Sequence, residues 1–218
     1  MASVIEKIYS TGSTQKKKMQ KSFLDGLTDR EAAEILEEVR YLKSQVEAQE
    51  AIIQQLRQEA LHDAMTGLPN RRFFDKEIEK ALKHYNRYKH PTALLIIDVD
   101  QFKSINDTLG HLAGDAMLKS IAKNIWNNIR ETDFVARVGG DEFCVILHEA
   151  SAQAASAKAE QLAKIIESTP CRYDGQQLHA SVSIGVCNFD EASGRHDLFA
   201  RADQNMYDNK IHSKPQVL

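Results

Sequence analysis

Apolar residues recur every seven positions over residues 28–62, and no Gly or Pro interrupts the pattern between Leu27 and Gly67. The two apolar sets are Ala32, Val39, Val46, Ile53 and Ala60, and Ile35, Leu42, Gln49 and Leu56. β-branched residues in the first set and mostly Leu in the second favour a parallel two-stranded coiled coil. We therefore predict a long helix that forms a homodimer through residues 32–60. An amphipathic helix lying on its own domain is the alternative.

A capping box marks the start of this helix, because Thr28 is followed three positions later by Glu31. Residues 1–27 are polar, carry a lysine run at 16–18 and have no periodic pattern, so the sequence assigns them no role. The stretch "LTDREAAEIL" also resembles the first helix of a helix-turn-helix domain. The heptads that follow leave no place for a recognition helix, so this interpretation is set aside.

The apolar pattern changes after residue 62 and predicts a mixed domain over 63–218. Gly67 and Pro69 end the long helix, and a second helix is predicted over 71–88. Next come a buried strand ("TALLIIDVD"), two helices separated near 110–114, and a hairpin with glycines 139 and 140 at its turn. An alanine-rich helix, a strand ("QLHASVSIGVC") and a final helix ("HDLFARADQNMYDNKI") complete the chain. The order βααββαβ predicts an α+β domain in which helices cover an antiparallel sheet.

Composition excludes several classes of function. The 218 residues are 42% hydrophobic and 27% charged with a formal net charge of −3, so a core is expected but no basic field that would bind nucleic acid. The run "TALLII" is far shorter than a membrane span, and "MASVIEKIYSTG" lacks the apolar segment of a signal peptide. Three cysteines without a C-x-x-C spacing indicate buried free thiols and a reducing cytoplasmic location.

The stretch "ARVGGDEFCVIL" places two acids directly after two glycines at the tip of the predicted hairpin. A hairpin lying beside the first strand would bring Asp98, Asp141 and Glu142 together. Crowded carboxylates need a cation to stay ionised, and oxygen-only ligands select Mg²⁺ or Mn²⁺. The glycines would then leave room for a nucleotide phosphate. On these residues alone, a surface hairpin with solvated acids is an equally good interpretation.

Five stretches together resemble the GGDEF domains, the family of the diguanylate cyclases. "GGDEF" at 139–143 is the signature that names the family. "DAMTGLPNRR" is similar to its D-x-L-T-x-L-x-N-R-R opening, with Met65 for the usual Leu, and "DVDQFKSINDTLGHLAGD" to D-x-D-x-F-K-x-x-N-D-x-x-G-H-x-x-G-D. "SVSIGV" resembles a later strand, and "ARADQNMYDNK" resembles the last helix. The resemblance extends over residues 63–214.

This resemblance implies an enzyme that condenses two GTP into cyclic di-GMP and releases two pyrophosphates, with one GTP on each of two facing protomers. It implies two Mg²⁺ or Mn²⁺ ions per active site, held by Asp98, Asp141 and the backbone carbonyl of Val99. Glu142 is implied to be a further ligand or the group that activates the 3′-hydroxyl. A non-catalytic nucleotide receptor and a passive end of a coiled-coil scaffold are the competing interpretations. Retention of both glycines and both acids favours the enzyme.

The same resemblance implies the residues that bind GTP. Asn106 and Asp115 match guanine-binding positions, and a carboxylate suits guanine because it accepts from both N1–H and the 2-amino group. The other matched substrate positions are Phe102, Lys103, Gly139, Gly140, Lys210 and Lys214. Lys214 stands where the family usually has Arg, which keeps the charge but loses bidentate recognition.

A second site is implied by "RETD", in which Arg130 and Asp133 precede the GGDEF stretch by five residues. It resembles the family's R-x-x-D inhibitory site for the product cyclic di-GMP. Arg presents a planar fork to a phosphate or a guanine edge. A plain salt bridge at a helix–strand junction is the alternative. Arg87 is a candidate for an accessory arginine contributed by a neighbouring surface.

Overall fold

The computed structural model describes residues 28–213, without the side chains of residues 29, 55–59 and 210–213. The predictions for residues 1–27 and for Lys214 lie outside this range. The chain divides into two units between Arg57 and Gln58.

Helix α1 runs over Asp29–Leu61, as the heptads predict. Its capping box is formed, with the Thr28 N–H donating to Glu31 Oε2 at 2.8 Å and the Glu31 N–H donating to Thr28 Oγ1 at 3.4 Å. Hydrogen bonds from the Thr28 hydroxyl and N–H lower the pKa of Glu31. The large apolar side chains at the described heptad positions are 39–52% exposed: Ile35, Val39, Leu42, Val46 and Ile53. This exposed apolar row is what the paired-helix interpretation requires.

The second unit alternates helices and strands along the chain. Its helices are α2 (Arg71–Tyr88), α3 (Phe102–Leu109), α4 (His111–Asn127), α5 (Ala152–Ser168) and α6 (Arg195–Ser213). Its strands are β1 (Thr92–Val99), β2 (Phe134–Arg137), β3 (Glu142–His148), β4 (Cys171–Tyr173), β5 (Gln176–Leu178) and β6 (Val182–Asn188), the last followed by a short 3₁₀ helix (Phe189–Glu191).

The central sheet has the strand order β2-β3-β1-β6, and every pair in it is antiparallel. Leu95 and Ile97 on β1 belong to the apolar cluster that includes α4 and α5, whereas Leu94 and Ile96 belong to the cluster that includes α2 and α6. Helices therefore cover both faces, which confirms the predicted α+β class. Burial on both faces explains why β1 reads as a continuous apolar run.

Two sequence predictions of local structure need correction. The predicted strand "QLHASVSIGVC" is two strands, because β5 ends at Leu178 and β6 begins at Val182. β4 and β5 form a separate hairpin around Asp174 and Gly175, whose φ angles are 48° and 74°. Positive φ at both turn residues suits an Asp-Gly hairpin, a signal that the sequence contains. The predicted break near 110–114 lies at residue 110 alone.

The three cysteines, Cys144, Cys171 and Cys187, are free and buried, as predicted. Burial and the nearby Glu191 carboxylate raise the pKa of Cys187 to about 11, so its reactive thiolate form is scarce at neutral pH.

Among residues 28–213, no helix combines the length and the apolar character that crossing a membrane requires.

Candidate functional site

The first feature of the candidate site is the pairing of β1 with β3, which places Asp98 directly opposite Glu142. Opposite residues of an antiparallel pair extend from the same face of the sheet, with Cβ atoms about 5 Å apart. The backbone N–H of Val99 donates to the carbonyl of Asp141 at 3.2 Å, which holds the start of β3 beside the end of β1. The hairpin therefore lies beside the first strand, as the sequence interpretation required.

The acids do not form the three-carboxylate group that the sequence led us to expect. Among the residues that the structure describes, no three His, Cys, Asp or Glu side chains are grouped as metal ligands. The donor set at this corner is the opposed pair Asp98 and Glu142, with Asp141 next in the chain. Mg²⁺ in proteins is commonly held by one or two carboxylates plus substrate phosphates, so this oxygen-only set still fits a hard divalent cation.

The turn between β2 and β3 contains the two glycines in different environments. The N–H groups of Val138 and Gly139 both donate to the carbonyl of Glu142, at 2.9 and 3.3 Å. A Cβ on Gly139 would lie 2.5 Å from Glu142 Oε2, whereas a Cβ on Gly140 would meet no atom within 4 Å. Open space for a ligand is therefore found at Gly140, and Gly139 accommodates the Glu142 side chain.

Arg137 is a residue of this corner that sequence reasoning missed. Its side chain is 9% exposed, and its guanidinium donates to Asp63 Oδ1 at 3.0 Å and to the carbonyl of Gly140 at 2.7 Å. The Arg137 N–H donates to the carbonyl of Pro69 at 2.9 Å. The available signal was a charged residue at the end of a short strand, two positions before the glycine pair. Arg137 thus connects the 63–69 loop to the turn.

The predicted guanine-binding residues lie on neighbouring helices, with Asn106 on α3 and Asp115 on α4. A Cβ on Gly114 would lie 2.0 Å from Asn106 Oδ1 and 3.2 Å from Phe102 Cζ, so the absence of a side chain at Gly114 lets the two helices approach. Within residues 28–213, Asn106 Oδ1 is buried without a hydrogen-bond donor. Buried acceptors of this kind are rare in folded proteins, and a ligand N–H would satisfy this one.

The start of α3 is shaped for an anion. Gln101 adopts a left-handed conformation (φ 55°) at the N-cap, followed by Phe102 and Lys103 in the first turn. Asp100 fixes this bend by accepting from the hydroxyls of Ser181 and Ser183 at 2.9 and 2.7 Å. The N–H groups of a first helical turn have no partner within the helix and suit phosphate oxygens. Asp100 is a second supporting residue that the sequence interpretation did not single out.

The R-x-x-D turn is closed by backbone contacts to Asp133. Its two carboxylate oxygens accept from the N–H groups of Arg130 at 3.0 Å and His148 at 3.1 Å. Arg130 is exposed, and no ion pair joins it to Asp133 in the described part of the chain. The salt-bridge alternative is therefore not observed. Arg87 lies in the last turn of α2 with its guanidinium 5.0 Å from the centre of the Tyr88 ring.

Lys210 lies on α6.

Comparison with known proteins agrees with this arrangement. The family described as "Diguanylate cyclase, GGDEF domain" matches residues 60–216. The chain is 40% identical over 186 residues to the diguanylate cyclase TpbB of Pseudomonas aeruginosa, covering 81% of this chain and 42% of that protein. It is 36% identical over 173 residues to the diguanylate cyclase DgcP of the same organism, covering 79% of this chain and 26% of that protein.

A solved structure comprising the coiled coil and GGDEF domain of DgcB from Caulobacter crescentus, in complex with c-di-GMP, is similar with a TM-score of 0.77. The two are 26% identical, and the similarity covers 83% of this chain and 96% of that one. The chain spans less than half the length of the two curated relatives above. The match over most of the chain, together with the antiparallel sheet and the acids at its corner, identifies this protein as a member of the GGDEF-domain family.

Proposed function

We propose that this protein is a diguanylate cyclase that condenses two GTP into cyclic di-GMP. The observation that carries the proposal is the placement of Asp98 directly opposite Glu142, beside a turn that is open at Gly140. In each of two steps, the 3′-oxygen of one GTP forms a bond to the α-phosphorus of the other. The bond from that phosphorus to the β-phosphate bridging oxygen breaks, pyrophosphate leaves with the bond electrons, and the hydroxyl proton is transferred to a base or to water.

Guanine selection is assigned to Asn106 and Asp115. The buried Oδ1 of Asn106 lacks a donor among the described residues, and guanine supplies donors at N1–H and the 2-amino group. The Asp115 carboxylate is next to Gly114, at the point where the two helices are in close contact. Adenine has no such pair of donors, so this site favours GTP over ATP.

Phosphate binding is assigned to the first turn of α3 and to the open turn. The left-handed Gln101 orients the N–H groups of Phe102 and Lys103 at the start of α3, and Lys103 adds a positive charge. Gly140 leaves space for a phosphate to approach the hairpin, and Gly139 contributes by accommodating the Glu142 side chain. Lys210 and Lys214 are proposed as further phosphate contacts.

A divalent metal, Mg²⁺ or Mn²⁺, is assigned to the same corner in two copies per site. Asp98, Asp141, Glu142 and the backbone carbonyl of Val99 are the proposed ligands, and all are oxygen donors. When bound, such ions neutralise phosphate charge and stabilise the attacking and leaving oxygens. Glu142 is proposed as a ligand or as the group that polarises the 3′-hydroxyl.

Two features are proposed to control the reaction. Pairing of α1 helices through residues 32–60 would bring two GTP-loaded domains together at high effective concentration. The exposed Arg130, beside the closed turn at Asp133, is proposed to bind product and slow the reaction, with Arg87 as an accessory contact. The diguanylate cyclase names of the similar TpbB and DgcP and the c-di-GMP in the DgcB structure support the assignment.

The test is to incubate the purified protein with GTP and Mg²⁺ and to identify products by chromatography and mass spectrometry, with ATP as the parallel substrate. Cyclic di-GMP from GTP alone is expected, and Asp98→Asn is expected to abolish it. Asp174→Asn is the matched control, because Asp174 lies in the β4–β5 turn and Asn tolerates its left-handed backbone. An active Asp98→Asn protein, or no product from the unmodified chain, would overturn the proposal.

A further inference from the structure

The stretch "DVD" at the end of β1 contributes two carboxylates, and the structure gives them different surroundings. Asp98 lies within β1, opposite Glu142 on β3 and opposite Ser183 on β6. Asp100 comes after the last residue of β1. Its Oδ2 accepts from the Ser181 hydroxyl at 2.9 Å, and its Oδ1 accepts from the Ser183 hydroxyl at 2.7 Å. Both oxygens of Asp100 therefore have hydrogen-bond donors at the start of β6.

The peptide group between Val99 and Asp100 is held from both sides. The Val99 N–H donates to the carbonyl of Asp141 at 3.2 Å, and the Asp100 N–H donates to the carbonyl of Ser181 at 3.0 Å. Because this peptide is trans, its carbonyl points away from its own N–H. The bond from Asp100 to Ser181 therefore directs the Val99 carbonyl away from β6, toward the side of β1 on which Asp141 lies. That carbonyl is one of the proposed metal ligands.

The residue after Asp100 leads into α3 in a conformation that needs support. Gln101 has φ 55° and ψ 25° at the N-cap, and its side chain forms no capping hydrogen bond in the described part of the chain. A left-handed conformation is unfavourable for residues other than glycine and persists where neighbouring contacts enforce it. The contacts here are the two hydroxyl bonds and the backbone bond between Asp100 and residues 181 and 183. Asp100 thus connects β6 both to the Val99 carbonyl and to the first turn of α3.

We infer that Asp100 is a positioning residue for the metal and phosphate site, and not a metal ligand. Through Ser181 and Ser183 it sets the direction of the Val99 carbonyl and the start of α3. A carboxylate two positions from Asp98 would otherwise be a natural further ligand for a hard cation. The inference rests on the proposed function, because the metal and the triphosphate belong to that reaction.

The same substitution at the two aspartates separates the two roles. A Ser hydroxyl can donate or accept, so Asp100→Asn can bond one Ser through its carbonyl and the other through its amide. Binding of 3′-deoxy-GTP with Mg²⁺ is measured by calorimetry, since this nucleotide lacks the attacking hydroxyl. Asp100→Asn is expected to raise the dissociation constant by less than about fivefold, because neutral hydrogen bonds replace charged ones. Asp98→Asn is expected to raise it by about 100-fold or more. Equal losses in the two variants would overturn the inference.

Alanine and threonine variants test whether Asp100 acts through the serines. Asp100→Ala is expected to raise the dissociation constant by about 10- to 100-fold, as loss of an outer partner of a metal site does. Ser181→Ala with Ser183→Ala is expected to cause a similar loss. Adding Asp100→Ala to that pair is expected to cause no further loss, because all three changes remove one set of contacts. Ser181→Thr with Ser183→Thr keeps both hydroxyls and is expected to restore binding. Additive losses, or normal binding without both hydroxyls, would overturn the inference.

Thermal unfolding of every variant separates positioning from stability. A contact that only stabilised the fold would lower the melting temperature and leave the dissociation constant of the folded protein unchanged, and that result for the alanine variants would overturn the inference. Ser193→Ala is the matched control. The Ser193 hydroxyl also donates to a carboxylate, that of Asp197 at 3.2 Å, near the start of α6. Its loss is expected to leave 3′-deoxy-GTP binding unchanged.

Failure of the inference and failure of the proposed reaction have different outcomes. Production of cyclic di-GMP by the unmodified chain, with nucleotide binding insensitive to both serines, would overturn the inference and leave the reaction standing. Binding that depends on Asp100 and both serines in a protein that makes no cyclic di-GMP would support the inference and overturn the reaction. No binding of 3′-deoxy-GTP to the unmodified chain would overturn the inference whatever the turnover.

Discussion

The Glu142 side chain occupies the space that a side chain at Gly139 would need, with Glu142 Oε2 2.5 Å from the position of a Cβ on that glycine. Its neighbour Gly140 faces open space. The two adjacent glycines therefore have separate roles. One permits the carboxylate to fold back against its own turn, and the other leaves the approach to the turn free.

Alanine at these two positions gives the first prediction. Gly139→Ala is expected to displace Glu142 and lower kcat by about 100-fold, the cost of a catalytic group misplaced by about 1 Å. Gly140→Ala is expected to leave the melting temperature unchanged, because its methyl group meets no atom, and to raise the KM for GTP if phosphate occupies that space. Thermal unfolding and steady-state kinetics are measured on both. Equal kinetics for Gly139→Ala and the unmodified protein would contradict the positioning role of Gly139.

The second prediction concerns Arg137, which bonds both Asp63 and the carbonyl of Gly140. Asp63→Asn leaves a largely buried guanidinium without its carboxylate and is expected to destabilise the fold by about 3 kcal/mol. Arg137→Lys keeps the charge but loses the fork, so it is expected to lower activity more than stability. Urea unfolding and turnover are compared. Arg30→Lys on α1 is the control, because Arg30 pairs with Glu34 at 3.0 Å and both side chains are exposed.

The ion pair between Asp63 and Arg137 also makes the unfolding free energy depend on pH in the acid range. Burial alone would raise the pKa of Asp63, but hydrogen bonds from Thr66 and Arg137 outweigh it and lower that pKa from the ordinary 3.8. A carboxyl group whose pKa is lower in the folded state stabilises the fold at every pH above its unfolded-state pKa. That stabilisation is lost as the pH falls through the folded-state pKa. The difference in unfolding free energy between the unmodified protein and Asp63→Asn is therefore expected to shrink below pH 3.8. A constant difference would contradict the ion pair.

The sheet was predictable from the sequence because its signals are local. The continuous apolar run of β1 and the glycines of the β2–β3 turn each lie within a few residues, and both elements form where they were predicted. The β4–β5 hairpin was also marked locally, by Asp174 and Gly175, but its strands have only three residues each. Strands this short carry too few alternating positions to be separated from a loop by pattern.

The supporting contacts of the candidate site were not predictable, because they join distant parts of the chain. Asp63 and Arg137 are 74 residues apart, and Asp100 and Ser183 are 83 apart. Periodicity reports only which face of an element a residue occupies. Similarly, "RETD" marked the turn, but the N–H group that donates to Asp133 belongs to His148 at the end of β3. The sequence motifs were enough to predict the candidate site residues. The hydrogen bonds that support those residues depend on the tertiary fold.

The third prediction tests the proposed pairing of α1. Val46→Lys with Ile53→Lys places charge on the exposed heptad row and is expected to lower turnover per milligram steeply as the protein is diluted, because two loaded domains must meet. Ala51→Lys lies outside both heptad sets and serves as the control. Sedimentation gives the oligomeric state, and calorimetry checks that each monomer still binds GTP. Full activity of the double variant at nanomolar concentration would contradict the pairing.

The fourth prediction is a pH dependence of stability from His148 at the end of β3. Burial lowers its pKa from the ordinary 6.5 and the charge of His84 lowers it further, while the nearby Asp133 carboxylate partly opposes both. Glu77 and Lys80 also act on it, with opposite signs. Because His148 binds a proton more readily in the unfolded chain, the fold is expected to lose stability as the pH falls from 6.5 toward the lower pKa of His148 in the folded state.

His148→Gln removes this proton and is expected to flatten the dependence of the unfolding free energy on pH just below 6.5. His179→Gln, at an exposed residue, is the control. A profile for His148→Gln with the same slope as that of the unmodified protein would assign the acid sensitivity to other groups.

The last prediction concerns the choice of guanine at Asp115. Asp115→Asn replaces one acceptor oxygen with a donor, which opposes either N1–H or the 2-amino group. Loss of one bidentate contact is expected to cost about 1–3 kcal/mol in kcat/KM for GTP. Inosine triphosphate lacks the 2-amino group, so the unmodified protein should prefer GTP to it, and the variant should not. Asp174→Asn is expected to keep the preference. Asn106, on the helix next to Asp115, has a buried Oδ1 without a donor among the described residues. A variant that retained the full preference for GTP would therefore place guanine recognition on Asn106 alone.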